Sequence, residues 1–227
     1  MNVLFITNLF PNPQEPNRGI FIKQLADELK KICNLTVISP LPWFLKIACL
    51  KRFSKWYKFA LVPKESFFQG IETHYPKYIV IPNVFGFLHG ISIFFSIFWL
   101  AYRMHRRKSF DLIHVLWVYP DGVAAALVSK ILKIPIVISA RGSDINYYAT
   151  KTFPARRFQI GVIIKYAERS TAVSDSQRDF IVNSLGIDPR KLKVILNGVN
   201  QELFHPKNQM DCRKLCNLED NKKYVLY

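Results

Sequence analysis

Lys193-Val194-Ile195-Leu196-Asn197-Gly198-Val199-Asn200-Gln201-Glu202-Leu203-Phe204-His205-Pro206 decides how this chain is organised. A β-branched apolar run, an Asn-Gly turn and a segment stopped by proline read as the last strand of one domain and a connection towards another. Tyr224-Val225-Leu226-Tyr227 then reads as the opening of a further strand. The sequence therefore predicts an N-terminal domain over 1–196, an interdomain linker over 197–222 and the first strand of a second domain over 223–227.

Upstream of that last strand the same kind of run recurs: Val3 to Thr7, Leu35 to Ser39, Tyr78 to Pro82, Leu112 to Trp117, Ile134 to Ser139 and Ser170 to Val173. Most are short and apolar, as strands covered on both faces must be. Between them, Ile22, Leu25, Leu29 and Ile32 recur at helical spacing, and Val123 to Leu132 and Ile160 to Ala167 supply later helices. Strand and helix in alternation predict right-handed crossovers and an α/β fold: a doubly wound, Rossmann-like parallel sheet. Ligands of such sheets bind beyond the carboxyl ends of the strands.

Half of the 227 residues are hydrophobic, enough for a large core, and 32 Lys and Arg stand against 16 acidic residues, a net charge of +16. That balance calls for an anionic partner, which nucleic acid, an acidic membrane face or a phosphate-bearing substrate could supply. The four cysteines, at 33, 49, 212 and 216, lack framework spacing and fit a reducing compartment. No cluster has metal-ligand spacing, so no metal is expected. The start, Met1 to Asn8, has no basic n-region and reads as a buried strand rather than a signal peptide. G-x-G-x-x-G and G-x-x-x-x-G-K-[ST] motifs are both absent, which disfavours a dinucleotide dehydrogenase or a nucleoside triphosphatase.

Val84 to Tyr102 is nineteen residues long and overwhelmingly apolar, interrupted only by His89 and a few glycines and serines, and is followed by Arg103, Arg106, Arg107 and Lys108. It is long enough to span a bilayer. A single crossing, however, would put strands of one sheet on opposite sides of the membrane, so a buried or membrane-grazing crossover helix is expected. Trp43 to Phe59 places Lys51, Lys55 and Lys58 on one helical face among aromatics, which suits an anionic lipid interface; a solvated edge helix packed on the sheet explains the same pattern. No nucleic-acid-binding module accompanies these residues.

Three loops stand at the ligand edge of the predicted sheet. The proline-rich segment Asn8 to Gly19 ends at a helix start, where Gly19 would admit a phosphate to the helix amides and Arg18 would add charge; a plain helix entry is the alternative. In Ser139-Ala140-Arg141-Gly142-Ser143-Asp144, Arg141 can grip phosphate or sugar oxygens, and Asp144 can accept from hydroxyls or orient Arg141. The alternative there is a surface ion pair with Asp144 capping a helix. Ser174 and Gln177 form an S-x-x-Q capping box that explains the serine without a ligand, with Arg178 on the same helix. His114, inside a strand, reads as a hydrogen-bonded interior residue rather than a base.

Taken in order, the Gly19 loop, the Phe110-Asp111-Leu112-Ile113-His114 strand entry, the Arg141-Gly142-Ser143-Asp144 loop, the Val173-Ser174 turn and the Asn197-Gly198-Val199-Asn200 linker resemble the N-terminal half of a GT-B glycosyltransferase of family 4. The resemblance implies a two-domain enzyme that transfers a sugar from a nucleotide-diphosphate sugar to an acceptor held by this domain. It implies retention of anomeric configuration, no bound metal and no cofactor beyond that co-substrate. Arg141 and Asp144 would be catalytic; Arg18, Gly19, Gly142, Ser174 and Arg178 would bind substrate; Asn197 and Gly198 would join the domains. Arg141 stands where many relatives carry histidine, and a guanidinium binds oxyanions but is a poor proton acceptor.

Relatives of this type serve cell-envelope or exopolysaccharide synthesis on lipid-linked or polysaccharide acceptors. The resemblance thus implies a cytoplasmic protein, peripheral at the inner face of the membrane, with a nucleotide sugar, a glycan or glycolipid and an anionic lipid surface as partners, and no nucleic acid. The donor domain would lie beyond Tyr227, so this chain alone is expected to be inactive. The rival expectation is a non-catalytic acceptor-binding or membrane-binding domain.

Overall fold

Asn2–Ile6 (β1) is buried on both faces, as a central strand of a parallel sheet must be. The computed structural model describes residues 1–44, 57–68, 70–80, 83–147, 149, 154–202, 204–219 and 221–225. Lys51, Lys55 and most of the helix expected over 43–59 lie outside the described residues. Contacts divide the chain into one unit over Met1–Ile195 and another over Leu196–Tyr227.

In the first unit, Ile20–Leu29 (α1) follows β1 and leads to Asn34–Ile38 (β2). Leu41–Pro42 (β3), the short helix Tyr57–Ala60 (α2), the hairpin Glu65–Phe68 (β4) with Ile71–His74 (β5), and Lys77–Tyr78 (β6) come next. The long helix His89–Lys108 (α3) leads into Leu112–Leu116 (β7), Asp121–Leu132 (α4) and Ile136–Ser139 (β8). Ser143–Asn146 (α5), Pro154–Tyr166 (α6), Arg169–Ala172 (β9), Asp175–Leu185 (α7) and Leu192–Val194 (β10) complete it. The eight-stranded sheet runs β10-β9-β8-β7-β1-β2-β5-β4, parallel except at the β4–β5 hairpin. This is the doubly wound α/β fold expected from the alternation.

Alternation along β1 assigns the two faces. Leu4 and Ile6 join a core with Ile93 and Ile97 of α3 and Ala124 and Val128 of α4, while Phe5 packs with Ile22 and Ala26 of α1. Each face is thereby sealed from water by helices on its own side.

One expected strand is corrected. Lys77–Tyr78 does not extend the main sheet: among the described residues β6 pairs only with β3, in a separate two-stranded sheet, and 81–82 lie outside the described residues. The place beside β2 belongs to β5. There Ile71 and Thr73 are buried, while Glu72 bonds His74 (3.0 Å) and Lys108 (3.0 Å) on the other face. A strand that alternates in this way is half polar, so it does not show as an apolar run.

In the second unit, Gln209–Leu215 (α8) is capped by Asn208, whose side chain accepts from the amides of Met210 (2.9 Å) and Asp211 (3.3 Å). Residues 223–225, expected to open a further strand, carry no strand assignment.

Candidate active-site rim

Because β1, β7, β8 and β9 are parallel neighbours, the loops that follow them leave the sheet at one edge. Residues 19, 141 and 174 belong to those loops. Adjacent loops are fastened to one another along the rim. The Asn8 amide donates to Asp121 Oδ2 (2.7 Å), joining the β1 and β7 loops. The Val118 amide donates to Asp144 Oδ2 (2.8 Å), joining the β7 and β8 loops. The Ala140 amide donates to the Thr171 carbonyl (2.9 Å), joining β8 to β9.

The proline-rich loop after β1 is held closely. Asn12 Oδ1 accepts from the amides of Gln14 (3.0 Å) and Glu15 (3.1 Å), Tyr75 Oη donates to the Pro11 carbonyl (2.8 Å), and Phe10 is fully buried. Arg18 donates through Nε (3.3 Å) and Nη2 (3.2 Å) to the Asn8 carbonyl, pairs with Glu15 (3.1 Å) and lies 5.0 Å from the centre of the Phe59 ring. Lys58, expected on a lipid-facing surface, pairs with Glu15 at 2.6 Å. Gly19 has φ 58°, and a Cβ there would sit 2.2 Å from the Leu9 carbonyl oxygen. Packing against Leu9 therefore demands glycine, whether or not a phosphate approaches α1.

Asp144 has no exposed surface. Its Oδ1 accepts from the amides of Arg141 (3.0 Å), Gly142 (2.9 Å) and Ile145 (3.1 Å), in addition to the Val118 bond at Oδ2. Burial raises its pKa above the usual aspartate value, against the pull of those four amides. Asp144 therefore shapes the Arg141-Gly142 turn from beneath. Gly142, at φ 122°, has open space where a side chain would project. Arg141 is half-buried, and burial lowers its pKa while the Asp144 carboxylate opposes the shift. It remains a cation at neutral pH.

Ser174 caps α7 by accepting from the Gln177 amide (3.2 Å), and Gln177 Oε1 accepts from the Val173 amide (3.0 Å). This is the capping box that the sequence predicts. Arg178 is committed on the surface to Asp175 (3.0 Å) and Asp179 (2.8 Å). Asn197 and Gly198 are exposed in the second unit.

Beneath the rim, His114 Nε2 meets Ser139 Oγ at 2.9 Å, and Thr171 Oγ1 donates to the same oxygen at 2.9 Å, a polar line across three strands. Burial, helped by the Arg141 charge, pushes the His114 pKa down to about 4. The imidazole is thus neutral and interior. Asp121 escaped the sequence reading. It is fully buried, and among the described residues its Oδ1 has no hydrogen-bond partner. Burial pushes its pKa up to about 7, with the Asn8 amide and Arg18 opposing and Asp144 adding to the rise. The proline-aspartate pair ahead of an apolar helix was its available signal. Among the described residues, no group of three or more His, Cys, Asp or Glu side chains could hold a metal ion.

A sheet whose ligand edge is built from bound loops is shared by many proteins, so the family rests on sequence. The model for "Glycosyltransferase Family 4" matches residues 20–203. The chain belongs to that family. It is 32% identical over 235 residues to TuaC of Bacillus subtilis (strain 168), a glycosyltransferase named for teichuronic acid biosynthesis. That match takes in 100% of this chain and 58% of TuaC, so the chain spans little more than half the length of this relative. The fold matches sucrose-phosphate synthase of Thermosynechococcus elongatus with a TM-score of 0.66 at 13% identity, over 97% of this chain and 53% of the synthase. It also matches Anabaena Alr3699/HepE, solved with UDP and glucose, with a TM-score of 0.59 at 18% identity, over 96% and 50% of the two chains. These structures show the architecture: this chain corresponds to about half of a GT-B fold.

Proposed function

We propose that this family 4 domain serves in transfer of a sugar from a nucleotide-diphosphate donor to a lipid-linked or polysaccharide acceptor of the cell envelope. The transfer is retaining and metal-independent, as the resemblance implies, and takes place at the cytoplasmic face of the membrane. The likeness to TuaC favours an anionic envelope polysaccharide as the product. The observation that carries the proposal is the rim: loops after β1, β7, β8 and β9 fastened to one another at one sheet edge, with half-buried Arg141 on one of them, in a chain whose family is established.

On this reading Arg141 is the group that meets substrate oxyanions, since its guanidinium can fork onto phosphate or carboxylate oxygens. Asp144 is a positioning residue: its carboxylate is spent on the amides of 118, 141, 142 and 145. Gly142 keeps the approach to Arg141 open, and Gly19 and Ser174 shape the flanking loops. Arg18 acts through the Asn8 carbonyl that it holds. Arg178 reaches substrate only by exchanging its two aspartates for it.

The test is transfer by a protein that carries this domain together with a family 4 donor domain. It would be supplied with a panel of nucleotide sugars and a membrane fraction as acceptor. Arg141→Ala should lower incorporation about a hundred-fold, the effect of removing one transition-state donor, with an unchanged urea midpoint. Equal incorporation by parent and variant would refute the assignment.

A further inference from the structure

The helix α3 is twenty residues long and contains no acidic residue. Together with the turn before it, it is long and apolar enough to cross a membrane by length and composition. It does not cross, because it connects strands of one sheet: β5 lies before it and β7 after it. Its inward side, Gly90, Ile93, Ile97, Ala101 and Met104, is buried at the spacing of one helical face.

The opposite side carries another stripe. Phe95 is 73% exposed, Trp99 62% and Tyr102 36%, at the four- and three-residue steps that align side chains along a helix. The rings are ordered against each other: Trp99 and Tyr102 stack at 5.3 Å with 12° between their planes, and Phe98 lies 6.1 Å from Trp99. Immediately beyond them Arg103, Arg106 and Arg107 are exposed. An aromatic stripe that continues into three exposed arginines, on a helix with no acidic residue, joins apolar surface to unbroken positive charge and is complementary to a surface that is apolar beneath and anionic above. It matches a lipid interface, where rings lie at the headgroup and acyl boundary and guanidinium groups reach phosphates.

We propose that the exposed face of α3 is the membrane-docking surface of this domain, with an anionic bilayer as its occupant, Phe95, Trp99 and Tyr102 inserted shallowly and Arg103, Arg106 and Arg107 on the lipid phosphates. This deepens the lipid-linked acceptor reading and rests on it for its purpose. It also moves the contact from Lys51, Lys55 and Lys58 to α3.

Docking is measured on the chain itself by sedimentation with phosphatidylcholine vesicles, with and without phosphatidylglycerol. The parent should bind only when phosphatidylglycerol is present. Phe95→Ser with Trp99→Ser, and separately R103Q/R106Q/R107Q, should weaken binding, the latter on the order of a hundred-fold for three surface cations. K51Q/K55Q/K58Q should bind as the parent does. Brominated acyl chains should quench parent fluorescence and quench Trp99→Phe less, although that variant still binds. All five altered positions on α3 are exposed, so circular dichroism and urea midpoints should match the parent. Unweakened binding by both α3 variants, or binding that follows the lysines, overturns the proposal. So does a parent that binds neither vesicle, an outcome that would leave the face to a protein partner. Transfer to a water-soluble acceptor analogue is independent of docking, so its failure would count against the transferase reading alone.

Discussion

Replacing Asp121 with Asn should change how stability responds to pH. The carboxyl is fully buried beside the Asn8 amide, and its pKa in the fold is about 7 against an ordinary 3.8. Raising an acid's pKa in the fold favours the protonated native state. That contribution is complete below the unfolded value and is lost as pH rises through the folded one. Integrated from pH 5 to pH 8, it removes roughly 2 to 3 kcal/mol. His114 has the opposite sign: its folded pKa of about 4 lies below the ordinary 6.5, so its contribution is present above 6.5 and lost as pH falls. Over the same interval it adds about 2 kcal/mol.

The Asp121 and His114 contributions therefore oppose and partly cancel one another in the parent between pH 5 and pH 8. Asp144, also raised by burial, tilts the balance the way Asp121 does. Asp121→Asn removes one side of the cancellation while keeping an acceptor for the Asn8 amide. Whatever fixed offset the new amide introduces, the variant should gain roughly 2 to 3 kcal/mol relative to the parent on going from pH 5 to pH 8. Urea unfolding of both proteins, followed by tryptophan fluorescence at the two pH values, measures that difference directly. A variant-minus-parent difference that is the same at both would refute the claim that Asp121 is buried with a raised pKa.

The other outcomes follow from the same rim. His114→Gln should abolish the opposing contribution, so that stability falls more steeply from pH 5 to pH 8 than in the parent, by about 2 kcal/mol in the same urea experiment. Asp144→Ala leaves four backbone amides without their acceptor and should cost about 3 kcal/mol or more in urea, whereas Asp144→Asn keeps part of the set and should cost less. Gly19→Ala meets both a left-handed backbone and the Leu9 carbonyl, so it should lower the thermal midpoint more than Gly142→Ala, where only the backbone conformation opposes the methyl group. Arg178→Ala loses exposed ion pairs and should leave the urea midpoint at the parent's value.

The central strand Val3 to Ile6 is legible because burial on both faces forces an unbroken apolar run, and Leu112 to Leu116 follows the same rule with His114 as its one polar break. At the edge that rule loses its grip. Ile71 to His74 needs only one buried face, so Glu72 and His74 interrupt the run, and the neighbouring apolar segment at 78–82 stands out more plainly in the sequence. A local signal was just as dependable where the chemistry is local: Ser174 and Gln177 sit three residues apart and close their capping box without help from the rest of the chain. Asp121 and Asp144 are the opposite case. The bonds by which they fasten loops, to Asn8 and Val118, span 113 and 26 residues, so although Asp144 also accepts from the local amides of 141, 142 and 145, nothing in the flanking sequence marks either carboxylate as joining two loops. The same applies to α3, where hydropathy alone registers a long apolar helix. Only the fold separates its two sides, by spending Ile93, Ile97 and Ala101 on the core and leaving Phe95, Trp99 and the arginines outside. Sequence thus locates the ligand edge, because crossovers carry every strand end there, while the direction each side chain faces at that edge is set by contacts between distant segments.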